Sequence, residues 1–327
     1  MPIKYNNRTN NGTTALLKLI NRNNNTSVGR IGFTVLPAAA VLTKKAIFGY
    51  GYTTVNVSMT NLVSNTGVVS TDTTGVGTAR HDLAASGYGT DKAIFGYGYT
   101  TGAVSMTNLV SNVGVVSTDT TGVGSVRNGP AASVYGTDKA IFGYGSALSG
   151  VTALTNKVSN TGVVATDTAG VGTARQSLGA AGYGSDKAIF GYGTTGTVTA
   201  VTNLVSNTGV VSTDTAGVGT ARSRLSAASY GTDKAIFGYG FTSTYVSMTN
   251  LVGNTGIVAT DTIGVGTARS NLAAAGYGND KAIFGYGLTG SNVSMTNLVS
   301  NTGVVATDTT GVGTGRYALA AAGYSLS

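Results

Sequence analysis

Two residue types recur with a spacing that could do chemistry. Arg stands at one position of an internal repeat, as Arg80, Arg127, Arg175, Arg222, Arg269 and Arg316. Asp stands at another, as Asp72, Asp119, Asp167, Asp214, Asp261 and Asp308, each time inside a Thr-Asp-Thr triplet. A calcium site would draw six to eight oxygens from several carboxylates close in sequence. One Asp per copy instead fits an Asx-type turn, or a bond to neighbouring backbone or to the repeated Arg. The Arg residues are expected to bridge to the Asp of the same or an adjacent copy; the other reading is a sixfold cationic rim for an anionic ligand. Catalysis has little to work with. The chain holds one His, His81, no Cys and 12 acids, all of them widely spaced Asp. Neither a nucleophile–base pair nor two carboxylates in divergent environments can be picked out. No catalytic residue, metal or cofactor is expected. His81 falls where the other copies have Asn, Gln, Ser or Tyr and is expected to be an exposed loop residue. The recurrent Gly-Tyr-Gly would make a selectivity filter only between pore helices in a membrane. Strand ends with packed Tyr are expected instead, Gly letting sheets approach closely.

The elements that must position these residues come from comparing the chain with itself. KAIFGYG begins at Lys45, Lys92, Lys139, Lys187, Lys234 and Lys281, a period of 47 or 48 residues that suits a propeller blade. The 50 Gly against 3 Pro call for many tight turns between short strands, hence an all-β chain. In the second copy the predicted strands are residues 83–89, 93–98, 104–111 and 115–120. A tight hairpin joins the first two, and an Asn112-Val113-Gly114 turn joins the last two. The first copy opens on its second strand and the last ends on a first strand, residues 319–324. Pairing that strand beside residues 46–51 closes a ring and hides both edges. The expected fold is therefore a six-bladed β-propeller of four-stranded blades over residues 45–327, after a basic, Asn-rich, mostly extended arm at residues 1–44.

The run Arg80-x-x-Leu83-Ala-Ala-x-Gly-Tyr88-x-x-Asp91-Lys-Ala-Ile-Phe95-Gly-Tyr-Gly98 resembles the kelch-type propeller repeat, with Gly96-Tyr97-Gly98 in place of the family's double Gly. The resemblance spans residues 45–327 and implies architecture, with no activity attached. In style the near-identical repeats also look like those in structural proteins of tailed bacteriophages, which implies a virion component.

Charge and variation locate the expected function. Of a net charge of +8, the first 44 residues carry six basic residues and no acid, and the remainder 14 basic against 12 acidic, a net of +2. So modest a charge on the repeats argues against a nucleic-acid partner. No 18-residue stretch is free of polar interruption, so no membrane span is expected. The arm's Lys4, Arg8, Arg22 and Arg30, with apolar Leu16, Leu17, Leu19, Ile20 and Phe33, are expected to dock onto other protein subunits of a larger assembly by β-augmentation. Within the repeats, the copies differ after Gly-Tyr-Gly and in the pair after each Arg. Antiparallel geometry puts both stretches on one face, carrying Tyr52, Tyr99, Phe241, Tyr245 and Leu288, a set suited to protein or surface-glycan contact. The expected function is a non-enzymatic assembly protein of a virion, with a lectin-like adhesion module as the alternative. The expected location is the virion, or otherwise the cytoplasm or the cell surface by a non-classical route, since no secretory signal is evident.

Overall fold

The structure, a computed structural model, describes residues 43–325. They form six three-stranded antiparallel sheets and one two-stranded hairpin. Strands β1 (Lys44–Gly49) and β2 (Thr60–Val63) share the first sheet with the last strand, β20 (Ala320–Ser325). The second sheet is β3 (Ala84–Tyr88), β4 (Lys92–Tyr99) and β5 (Ala103–Val110). The third is β6 (Ala131–Tyr135), β7 (Lys139–Gly143) and β10 (Thr155–Val158), with the hairpin β8 (Ser146–Ala147) and β9 (Gly150–Val151) between the last two. The remaining sheets are β11 (Gly179–Tyr183), β12 (Lys187–Gly191) and β13 (Thr202–Val205); β14 (Ser226–Tyr230), β15 (Lys234–Phe241) and β16 (Tyr245–Val252); and β17 (Ala273–Tyr277), β18 (Lys281–Leu288) and β19 (Asn292–Val299). Among the described residues no helix is long and apolar enough to cross a membrane.

In every sheet the Lys-Ala-Ile-Phe-Gly strand lies in the middle. It is covered on both faces, which is why it reads as a continuous apolar run instead of an alternating one; Ala93, Ile94 and Phe95 are fully buried. The chain's two ends meet in the first sheet, where β1 pairs with β20 from Lys44↔Ser325 to Gly49↔Ala320. The register, Ala46↔Gly323 and Phe48↔Ala321, repeats that of Ala93↔Gly87 and Phe95↔Ala85 in the second sheet. The first strands pack side by side: β20 against β3 and β17, β3 against β6, β6 against β11, β11 against β14, and β14 against β17.

The junctions between sheets are apolar and alike. A Tyr from one sheet meets a Phe from the next edge-to-face at a centroid separation of 5.1 Å, in the pairs Tyr50–Phe95, Tyr97–Phe142, Tyr144–Phe190, Tyr192–Phe237, Tyr239–Phe284 and, between the sixth and first sheets, Tyr286–Phe48. Each Phe tip abuts a Gly of the preceding sheet: a Cβ on Gly143 would lie 2.7 Å from Phe190 Cζ. Gly143→Ala should therefore push the two sheets apart and cost about 1–3 kcal/mol. Gly102→Ala, with nothing within 4 Å of its Cβ, should leave the melting temperature unchanged. Thermal denaturation of the two variants checks both.

The fourth predicted strand of each blade does not form as a strand, and the sheets have three strands, not four. Residues 115–120 touch β5 only through isolated bridges at Val110↔Val116 and Thr107↔Thr120. Between them, side chains take over the ladder. Asn108 Nδ2 donates to Ser117 O at 3.0 Å, and Ser117 Oγ accepts the Leu109 N–H at 3.0 Å. Side-chain bonds of this kind compete with backbone pairing. At the preceding turn it is Gly114, with φ 82°, and not Asn112, that takes the left-handed conformation.

Candidate functional site

The repeated Arg side chains are fully buried, so they form no cationic rim. Arg80 shows the arrangement. Its Nε donates to Tyr97 O (2.8 Å), Nη1 to Thr78 O (3.1 Å) and Nη2 to Asn108 Oδ1 (2.7 Å). Its guanidinium lies 4.4 Å from the ring centroid of Tyr50 in the preceding sheet. Planar, five-donor Arg can serve three acceptors and an aromatic face at once, as Lys cannot. Asp119 stands 3.9 Å from Nη1, so the expected ion pair is present but secondary. The Asp carboxylate instead accepts from the Thr78 N–H and hydroxyl (2.6 Å to the latter) and from Asn108 Nδ2 (2.8 Å). The same clamp recurs at Arg175, Arg222, Arg269 and Arg316, with Asp214, Asp261, Asp308 and Asp72 receiving the matching Thr and Asn donors. Among the described residues no group of three or more His or acidic side chains is placed to hold a metal ion.

Arg127 departs from the pattern. It bonds Asn156 through Nη2, while its buried Nε and Nη1 have no hydrogen-bond partner. Its neighbours differ too, with Val126 and Pro130 where most copies have Ala and Leu.

Each clamp also holds a Tyr in a backbone conformation that bulky residues avoid. Tyr50 and Tyr97 have φ 64°, and the Tyr50 hydroxyl donates to Val76 O at 3.0 Å. Burial pushes the phenols of Tyr50, Tyr97, Tyr239 and Tyr286 up to about 12, against the opposing pull of the stacked Arg. Burial also works against charge on the six Asp, but bonds from Thr (Ser125 at Asp167) and Asn, then the Arg, outweigh it and hold the carboxyls below their ordinary value.

Both shifts set limits on stability. The depressed Asp values contribute stability that is complete above about pH 4 and is lost as pH falls through the lower folded values. The raised Tyr values contribute stability that is complete below about pH 10 and is lost as pH rises towards about 12. Urea titrations at pH 7, 3 and 11 should give the highest midpoint at pH 7. An equal midpoint at pH 11 would contradict the account of the buried phenols.

The second variable position after each Arg borders a cavity of about 110 Å³, lined by the first strands and the residues leading into them. Its mouth is rimmed by Asp82, Gly129, Ser177, Arg224, Asn271 and Ala318, all at φ of 50–60°. Their backbones are linked head to tail: each N–H donates to the C=O of the residue one repeat earlier, and Asp82 N donates to Ala318 O at 2.9 Å to complete the circuit.

The predicted recognition residues do not line this cavity, and the structure sorts them into groups. His81 is not an exposed loop residue. It is half-buried, its ring centroid 5.3 Å from that of Tyr52 and 5.5 Å from that of Tyr99, and its Nδ1 donates to Asn56 Oδ1 at 2.6 Å. Tyr52 also meets Tyr317 at 5.5 Å. Phe241 and Tyr245 pair at 5.6 Å, with Arg224 5.8 Å from the Phe241 ring centroid. Leu288 bridges Ser270, apart from both groups. Sequence reasoning missed His81, Asp82, Arg224 and Tyr317; the divergence of the pair after each Arg was the available signal. The arm residues Lys4, Arg8, Leu16, Leu17, Leu19, Ile20, Arg22, Arg30 and Phe33 lie outside the described residues. Neither a protein-family model nor a curated protein matches this chain.

Proposed function

We propose that the six sheets close into a six-bladed propeller that serves as a non-catalytic recognition scaffold, docked by the segment before it into a larger protein assembly such as a virion. Support for closure comes from three sets of bonds that return to their start after six steps: the Tyr–Phe pairs, the Arg–Tyr stacks and the backbone circuit at the mouth. The single observation that carries the functional reading is where the copies differ. The buried clamps repeat almost unchanged, while the residues two after each Arg, which differ from copy to copy, line one mouth. A scaffold needs uniform junctions; recognition needs a few distinct groups held rigidly on it.

In extracts of the cells or particles that produce it, the full chain should sediment with a large assembly. A variant lacking residues 1–43 should fold but stay in the light fraction. Co-sedimentation of the truncated chain would overturn the docking role. The Tyr52–His81–Tyr99 group favours the second reading, a glycan-binding module, since stacked aromatic faces suit sugar rings. Saturable binding on a glycan array, lost in Tyr52→Ala and Tyr99→Ala, would establish it; a blank array would remove it.

A further inference from the structure

We propose that the mouth of this cavity binds a small zwitterion, its ammonium group at Asp82 and its carboxylate at Arg224, with a short aliphatic side chain directed into the cavity. The inference rests on the recognition reading above and names the ligand class of that site.

The first argument is unused polarity. Four of the six rim residues carry polar side chains: Asp82, Ser177, Arg224 and Asn271. Their backbone groups are spent in the hydrogen-bonded circuit, but their side chains make no hydrogen bond among the described residues. Asp82 lies 3.7 Å from His81 Nε2 and is attracted by Arg224 across the mouth, and Arg224 rests against the face of Phe241. Convergent polar groups held without hydrogen bonds around the mouth of a cavity are the usual anatomy of a small-molecule site.

The second argument is charge placement. Asp82 and Arg224 stand three repeats apart, on opposite sides of the mouth, as the only acid and the only base on the rim. A ligand with one charge would satisfy one side and leave the other facing a like charge or nothing. A ligand with both would complete both. Enclosure by the surrounding protein raises the Asp82 carboxyl above its ordinary value, against the pull of His81 and Arg224, and an arriving ammonium group would offset that penalty.

The third argument is size and lining. A cavity of about 110 Å³ is well under the roughly 300–1,000 Å³ of drug-sized sites, so only a few non-hydrogen atoms fit. Below the rim the lining includes Leu83, Leu178, Leu225, Leu272 and Leu319, small residues such as Ala84 and Ala131, and one hydroxyl, Ser226, so a methyl or ethyl group has apolar side chains to pack against.

The test is calorimetric titration of the full chain with L-alanine, propionate and isopropylamine. L-alanine should bind saturably at one site per chain, and propionate and isopropylamine at least about tenfold more weakly. Asp82→Asn and Arg224→Gln should each weaken L-alanine by at least about tenfold while keeping the wild-type circular dichroism and melting curve, because neither side chain holds the fold together. No saturation by L-alanine up to about 10 mM, or equal affinity in wild type and both variants, would overturn the proposal. That failure is distinguishable from failure of the scaffold reading: sedimentation with an assembly does not require an occupied mouth, and alanine binding does not require an assembly.

Discussion

Replacing Arg222 with Met is expected to lower the stability of the domain by about 3–5 kcal/mol, the range for removing one member of a buried polar set. The side chain is fully buried and donates to Tyr239 O at 2.8 Å, Thr220 O at 3.1 Å and Asn250 Oδ1 at 2.7 Å, with its guanidinium 4.3 Å from the Tyr192 ring centroid. Met fills similar volume but donates nothing. Three acceptors lose their partner, and the two that are buried cannot turn to water. Asp261 also loses the charge 4.0 Å away. The same substitution at Arg127 should cost far less, about 1 kcal/mol, because Arg127 makes one side-chain hydrogen bond against three at Arg222, its Nε has no hydrogen-bond partner, and its Nη1 has only the Asp167 carboxylate at 3.6 Å. Urea denaturation of the pair tests the clamp without reference to ligand or partner. Equal losses in the two variants would show that burial of the side chain, and not its bonds, is what matters.

Deleting residues 319–327 should be more damaging still. It removes β20, the pairing partner of β1 along its whole length, and takes Leu319, Ala320, Ala322 and Tyr324 from apolar clusters shared with the second and sixth sheets. The β1 edge that remains is flat, apolar and unpaired, the kind of edge that recruits another chain. The truncated protein is expected to aggregate or form mixed oligomers. Because β20 repeats the register of the other first strands, a synthetic peptide of residues 316–327 added during refolding should restore a monomer. A truncated chain that stays monomeric and keeps the wild-type melting temperature would mean that the seam contributes nothing.

Much of this architecture is legible in the chain. The 47-residue period, the apolar Ala-Ile-Phe run and the starting phase at Lys45 point to the sheets, their middle strands and the pairing of the last strand with the first. Periodicity reports such features because every copy restates them. The fourth strand was misread since residues 115–120 have strand-like composition, and whether they pair depends on Asn108, a residue from another strand that captures Ser117 O. The Arg and Asp positions stood out in the repeat, but their main partners did not. Those are an Asn amide, two carbonyls and a Tyr face, groups whose roles are set by three-dimensional position and not by charge. The mouth was hardest to see. Asp82 and Arg224 lie 142 residues apart and look like drift between copies until the first strands bring them to one rim.

The proposed closure of the six sheets into a ring is measured directly by spin-label distances. The chain has no Cys, so paired substitutions give clean labelling. Thr66, Thr161, Thr208 and Thr302 occupy equivalent exposed turns in the first, third, fourth and sixth sheets. In a closed ring the first and sixth sheets are neighbours, as are the third and fourth. Double electron–electron resonance should therefore give the same distance for Thr66→Cys with Thr302→Cys as for Thr161→Cys with Thr208→Cys. A first-to-sixth distance several times longer than the third-to-fourth would mean an open array of sheets and would contradict the account.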